Sequence, residues 1–82
     1  MAGTTTQILA EMVASVLTVT AAPGDQVEVG DTVMLLESMK MEIPVLAERA
    51  GTIAEVRVTE GDVVQEGDIL VVLGHEDLSH KP

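Results

Sequence analysis

No cysteine, phenylalanine, tyrosine or tryptophan occurs in this 82-residue chain, and only four of its residues are basic. Each absence closes off a class of function. Without cysteine there is no disulfide framework, no thiolate metal site and no sulfur nucleophile, a composition that fits a reducing compartment. Without aromatic rings there is nothing on which nucleic-acid bases could stack. A formal charge of −10 repels phosphate backbones and anionic headgroups, so no nucleic acid and no membrane is an expected partner. The most apolar run, residues 8–19, is interrupted by Glu11 and preceded by no basic leader. It does not read as a signal peptide or a membrane span, and the cytoplasm is the expected location.

What is present has to build a core from Val, Leu, Ile, Ala and Met. A chain of this length is one small domain, able to bury roughly 60–65% of the surface that its unfolded form exposes. The many β-branched residues favour strands, and no segment is long and periodic enough for a helix. Short strands are predicted near 6–10, 15–20, 27–28, 32–38, 41–47, 52–58, 64–65 and 69–73.

Shifting the sequence against itself by 37 positions exposes a duplication. Residues 8–36 and 45–73 share ten identities in 29 positions, enough to mark one motif used twice. Leu9-Ala10-Glu11 falls on Leu46-Ala47-Glu48, Val19 on Val56, Gly24-Asp25 on Gly61-Asp62, and Gly30-Asp31 on Gly67-Asp68. The repeat predicts pairing as well: the first strand should lie beside the last, as 41–47 lies beside 32–38. The chain termini then fall at one end of the domain and residue 40 at the other.

Each copy contains Gly-Asp-x-Val-x-x-Gly-Asp. Glycine permits positive φ and aspartate can bond backbone groups beyond it, so each Gly-Asp pair should end one strand and launch the next. A calcium loop built from Asp25, Asp31, Asp62 and Asp68 would need several oxygens converging on one point, and the spacing follows the repeat instead. No metal ligands are assigned. His75 and His80 stand five apart near Glu76 and Asp77, a spacing that aligns them on no helix face, and a solvated tail is expected there.

One segment differs sharply from its counterpart: the residue that the shift sets against Lys40 is Asp77. Glu37-Ser38-Met39-Lys40-Met41-Glu42 joins the apolar runs 32–36 and 43–46, and reads as the tip of a β-hairpin that holds one amine out in solvent. If Met39 and Lys40 are the two central residues, Ser38 faces Met41, Glu37 faces Glu42 and Leu36 faces Ile43. Tight two-residue hairpins favour Asn-Gly, and like charges directly opposite one another are unfavourable. Such a turn is shaped for recognition rather than for folding, although a longer loop would relieve both conflicts. Catalytic lysines are activated by burial or by neighbouring cations, whereas Lys40 is expected exposed among acids. It suits attachment: acylating the amine would take the formal charge from −10 to −11 and give a reactive group a flexible tether. No residue is assigned a catalytic role, and Ser38, lacking a histidine partner, reads as a strand-end hydroxyl.

The hexapeptide resembles the attachment site of biotinyl carrier domains, where the lysine of a Met-Lys-Met turn carries biotin through an amide bond. The resemblance extends from about Gln7 to Gly74: Met12, the Gly-Asp pairs and Gly51-Thr52 stand where those domains carry comparable residues. It implies an all-β fold, a flattened barrel or sandwich of two four-stranded antiparallel sheets with pseudo-twofold symmetry, the biotinyl/lipoyl hammerhead. It also implies a role for each residue of the tip, with Lys40 as the biotin attachment point, Met39 and Met41 as flanking recognition residues, and Glu37, Ser38 and Glu42 as turn context. The first half departs at Ala14, where glycine is common in the family, and no room exists between Val19 and Pro23 for the protruding thumb of some acetyl-CoA carboxylase carrier subunits.

By the same resemblance a biotin protein ligase would load Lys40, a biotin carboxylase would carboxylate the biotin with ATP and bicarbonate, and a carboxyltransferase would pass the carboxyl group on. The cofactor carries the chemistry and the protein positions it. The expected organisation is an N-terminal lead over 1–6, the attachment domain over 7–74 and a flexible C-terminal tail over 75–82. A free-standing biotin carboxyl carrier protein, monomeric in isolation and serving separate catalytic chains, is the leading expectation. The alternatives are a lipoyl carrier and an unmodified barrel module used for protein contacts.

Overall fold

Four repeated turns set the frame of the domain. In the computed structural model, which describes residues 3–76, Gly24, Gly30, Gly61 and Gly67 hold φ of 94°, 93°, 95° and 93°. Each is the third residue of a four-residue turn closed by a backbone bond from the following aspartate N–H to the first carbonyl, as in Asp25 to Ala22 at 3.0 Å and Asp62 to Thr59 at 2.9 Å. Positive φ at the third position with this closure is the signature of a type II turn, which explains the glycine. The aspartate side chain then reaches back across the glycine. Oδ2 of Asp25, Asp31, Asp62 and Asp68 accepts the N–H of Ala22, Glu28, Thr59 and Gln65 at 2.8–2.9 Å. These carboxylates each serve their own turn, and the bond runs backward along the chain rather than beyond the pair.

Between the turns lie eight strands: β1 Gly3–Leu9, β2 Ala14–Val19, β3 Gln26–Val27, β4 Thr32–Ser38, β5 Met41–Leu46, β6 Gly51–Val56, β7 Val63–Val64 and β8 Ile69–Glu76. They form two four-stranded antiparallel sheets, ordered β1-β8-β6-β3 and β5-β4-β2-β7. The 37-residue shift maps one sheet onto the other pair by pair. Ser38↔Met41 has its counterpart in Thr4↔His75, Ser15↔Glu37 in Thr52↔Gly74, and the irregularity between Val16 and Thr18 recurs between Ile53 and Glu55. The expected neighbours, first strand with last and 32–38 with 41–47, are found.

Two strand limits differ from the sequence pattern by three residues, and the others by no more than two. β1 starts at Gly3 and β8 continues to Glu76, because Thr4-Thr5-Thr6 is β-branched and ladders against 73–75 without showing an apolar alternation. Ala14 is buried in β2 and is not among the residues with positive φ, so alanine fills the glycine position of the related domains without backbone strain. Asp77, His80 and Lys81, which figure in the expected tail and in the candidate histidine pair, lie outside the described residues.

The core sits between the sheets and contains only aliphatic side chains and Met34. Val33, Met34, Leu70, Val71 and Leu73 are fully enclosed, and no polar or charged side chain among the described residues is buried. Repeat partners trade volume across the pseudo-twofold, Val33 against Leu70 and Met34 against Val71, which is how an interior without rings is filled.

The turn glycines have a testable cost. A Cβ built on Gly30 meets no heavy atom within 4 Å, so any penalty there is backbone strain and not a clash. Gly30→Val is expected to lose about 1–2 kcal/mol, a fall in melting temperature of roughly 4–16 °C for a domain of this size. By the resemblance of the 37–42 segment, the folded fraction should still be accepted by a biotin ligase. Thermal melts and loading assays on one preparation would check both halves, and a variant of unchanged stability that cannot be loaded would contradict the structural role.

Candidate functional site

β4 and β5 are joined by a turn whose two central residues are Met39 and Lys40. The ladder runs Leu36↔Ile43, Glu37↔Glu42, Ser38↔Met41, leaving no residue for a longer loop. Met39 has φ 55° and Lys40 φ 67°, and they are the only non-glycine residues in the described chain with positive φ. Two consecutive left-handed residues closing a two-residue hairpin make a type I′ turn, whose twist matches that of the strands it connects. L-residues with side chains pay about 1 kcal/mol each for that conformation. The same length of turn filled by Asn-Gly would pay less, so the local sequence gives up stability to keep two long side chains at the apex.

Those side chains point outward. Met39 is 91% exposed and Met41 62%, unusual for a residue type that normally fills cores. Lys40 is exposed, and among the described residues no carboxylate comes within ion-pair distance of its ammonium; the one ion pair found joins Arg57 to Glu55 at 3.6 Å. Glu37 and Glu42 are both exposed and directly opposed in the ladder, an unfavourable like-charge pair screened by water. Ser38 ends β4, half-buried, opposite Met41.

Beneath the tip the hairpin is firmly held. Leu36 is 3% exposed and packs in the core opposite the partly buried Ile43, and Met34 below it is fully enclosed. The apex is therefore a strained, solvent-facing pair on a rigid base. All six residues singled out in the sequence meet within one hairpin. The bracing residues Met34, Leu36 and Ile43 were legible only as parts of apolar runs, because nothing in a run says which face is turned inward until the register is known.

Chemically the arrangement offers an exposed primary amine with no ion pair among the described residues, two methionines adjacent to it in sequence and two glutamates on the strands behind it.

Residues 4–73 match the sequence pattern of a family described as biotin-requiring enzyme. Over 38 residues, 46% of the chain, it is 66% identical to Biotinylated protein TB7.3 of Mycobacterium tuberculosis and 66% identical to the Biotinylated protein TB7.3 homolog of Mycolicibacterium smegmatis. The match spans about half, 54%, of the length of those relatives. Among solved structures, the urea carboxylase of Kluyveromyces lactis superposes with a TM-score of 0.80 at 33% identity, over 85% of this chain and 6% of that one. A single-chain, multi-domain long-chain acyl-CoA carboxylase superposes with a TM-score of 0.82 at 32% identity, over 95% of this chain and 8% of that one.

Proposed function

The chain belongs to the biotin-requiring enzyme family, and we propose that it is a biotin carrier in which Lys40 holds the cofactor through an amide to Nζ. One observation carries the assignment. Lys40 occupies the apex of a type I′ turn at φ 67°, between two solvent-exposed methionines, in a conformation that costs stability. The residues fit the group: the amine is exposed and unpaired among the described residues, and the shallow tip has no wall that a ring system would strike.

Each element has a stated task. Nζ, once deprotonated, would attack the carbonyl carbon of biotin activated as an acyl phosphate. The C–N bond forms as the C–O bond to the phosphate breaks, the phosphate leaves with the electron pair, and loss of one more proton from Nζ leaves a neutral amide. Met39 and Met41 offer apolar, adaptable contact surface to the ligase that catalyses this step. Glu37 and Glu42 keep the approach acidic, and the braced pair Leu36–Ile43 fixes the direction in which the lysine stem leaves the domain. When bound, biotin supplies a ring that takes up and releases an activated carboxyl group, and the protein supplies reach and recognition. In this proposal the domain works in the cytoplasm, moving between a biotin carboxylase and a carboxyltransferase without catalysing either reaction.

Co-expression with a biotin protein ligase and biotin, followed by intact-mass measurement, tests the proposal. One biotinyl group per chain is the expected result. An unmodified chain, or a lipoyl adduct formed in its place when lipoate and its ligase are also supplied, would overturn it.

A further inference from the structure

The internal duplication gives every outer-face position a counterpart at the same register on the other sheet, so a difference between the copies is a difference at fixed geometry. In β4 the alternation turns Met34 and Leu36 inward and Leu35 and Glu37 outward, and Val33, at the irregularity between Thr32 and Met34, is buried as well. Two rows of that outer face follow from the pairing. Nearest the Lys40 turn lie Val63, Ser15, Glu37 and Glu42. In the next row the bulged pair Leu17 and Thr18 lies against Leu35, and Leu35 against Pro44.

The corresponding rows of the other sheet are Gln26, Thr52, Gly74 and Thr5, then Ala54 and Glu55 against Val72 and Gln7. The contrast is consistent. Val63, 68% exposed, replaces glutamine; Leu17 replaces alanine; Leu35 replaces the smaller Val72; Pro44 replaces glutamine. Where one sheet carries the Glu55–Arg57 ion pair, the Lys40 sheet carries Thr18 and Thr20. Folding needs none of this. These side chains lie on the outer face, with Val63, Leu17 and Pro44 exposed and Leu35 half-buried between them, and neighbouring apolar side chains on an outer face are a mark of interaction.

Building on the biotin-carrier assignment, we propose that the outer face of the sheet β5-β4-β2-β7 is the docking surface for the catalytic chain that uses the Lys40 tether, and that it fits an apolar strip bordered by lysine or arginine. Two features select this occupant. Glu37 and Glu42 separate the apolar row from Lys40, and no cation among the described residues neutralises them, so a basic border on the partner completes the face. A second copy would bring an identical acidic row and another net charge of −10, which opposes self-pairing. A protein seated on this face would also have Lys40 at its margin, where the lysine stem can swing into a neighbouring site.

The two copies provide the test. Leu17→Ala, Pro44→Gln and Val63→Gln install the residues of the other face without changing formal charge, and Gln26→Val with Ala54→Leu is the reciprocal control. Each domain is loaded with biotin, verified by mass and thermal melt, and offered to purified biotin carboxylase with MgATP and bicarbonate. The triple variant should show a KM raised about tenfold, near the loss of one anchoring contact, with kcat and the rate of ligase loading unchanged. The control should behave as wild type, and added salt should raise the wild-type KM. If the triple variant is destabilised, Val63→Gln alone should still raise KM about threefold. An unchanged KM, an equal loss in the control, a defect in ligase loading instead, or a wild-type dimer that the triple variant abolishes would each overturn the proposal. A wild-type domain that takes biotin yet is never carboxylated would sink the proposal while leaving attachment at Lys40 standing; one that takes no biotin would sink both.

Discussion

Replacing Lys40 with arginine is expected to abolish biotin incorporation while leaving the melting temperature within a few degrees of wild type. The asymmetry follows from where the residue stands. Lys40 is exposed, unpaired among the described residues, and packs against nothing in the core, and substitutions at such sites generally shift stability by less than about 0.5 kcal/mol. Arginine has the same Cβ, so the cost of φ 67° is carried equally by both. The chemistry is not shared. A guanidinium stays protonated and spreads its electrons over three nitrogens, leaving no lone pair to attack an activated carboxyl carbon. Incorporation should therefore fall to background in intact-mass and avidin-capture assays. Lys81 is the only other lysine in the sequence, so biotin retained on the variant, once mapped by tandem mass spectrometry, would move the attachment site away from the hairpin.

The frame of the fold was legible because its signals are local and doubled. A Gly-Asp pair at the third and fourth positions of a turn states its own backbone geometry, and seeing it four times at matched spacing fixes the element boundaries and the symmetry together. The hairpin was legible for a different reason: Met-Lys with acids behind it is a poor choice for a tight turn, and a poor local choice flanked by good strands points to function. What escaped the sequence was of another kind. Thr4-Thr5-Thr6 and 74–76 join the ladder through long-range pairing that no local pattern announces. The direction of the aspartate bonds depends on the turn type, which residue names alone do not specify. Val63 and Leu17 of the apolar outer face stood in the repeat alignment, but only as mismatches, and Pro44 lay one residue outside it. A mismatch becomes a signal once the register shows that both residues occupy the same place.

Exchanging the two central turn residues, Met39→Lys with Lys40→Met, is expected to leave a folded domain that is biotinylated about a hundredfold more slowly. Composition, net charge and the count of left-handed side-chain residues are all preserved, and both positions are exposed, so stability should hardly move. Direction is what changes. Successive residues at the apex of a type I′ turn project their Cβ bonds differently, and the swap also replaces Met-Lys-Met with Lys-Met-Met, removing the methionine that precedes the amine. A ligase that holds activated biotin at a fixed point would meet the amine off the line of attack, and displacement of about 1 Å can cost on the order of a hundredfold in rate. A surface on which any exposed lysine among acids is acceptable predicts no change at all. Steady-state loading of wild type and swapped domains by one ligase, with circular dichroism to verify folding, separates the two. Equal rates would mean that the strained pair at φ 55° and 67° presents the amine in no required direction, and the reason for keeping Met-Lys where Asn-Gly would fold better would have to be sought in the later encounter with the carboxylase.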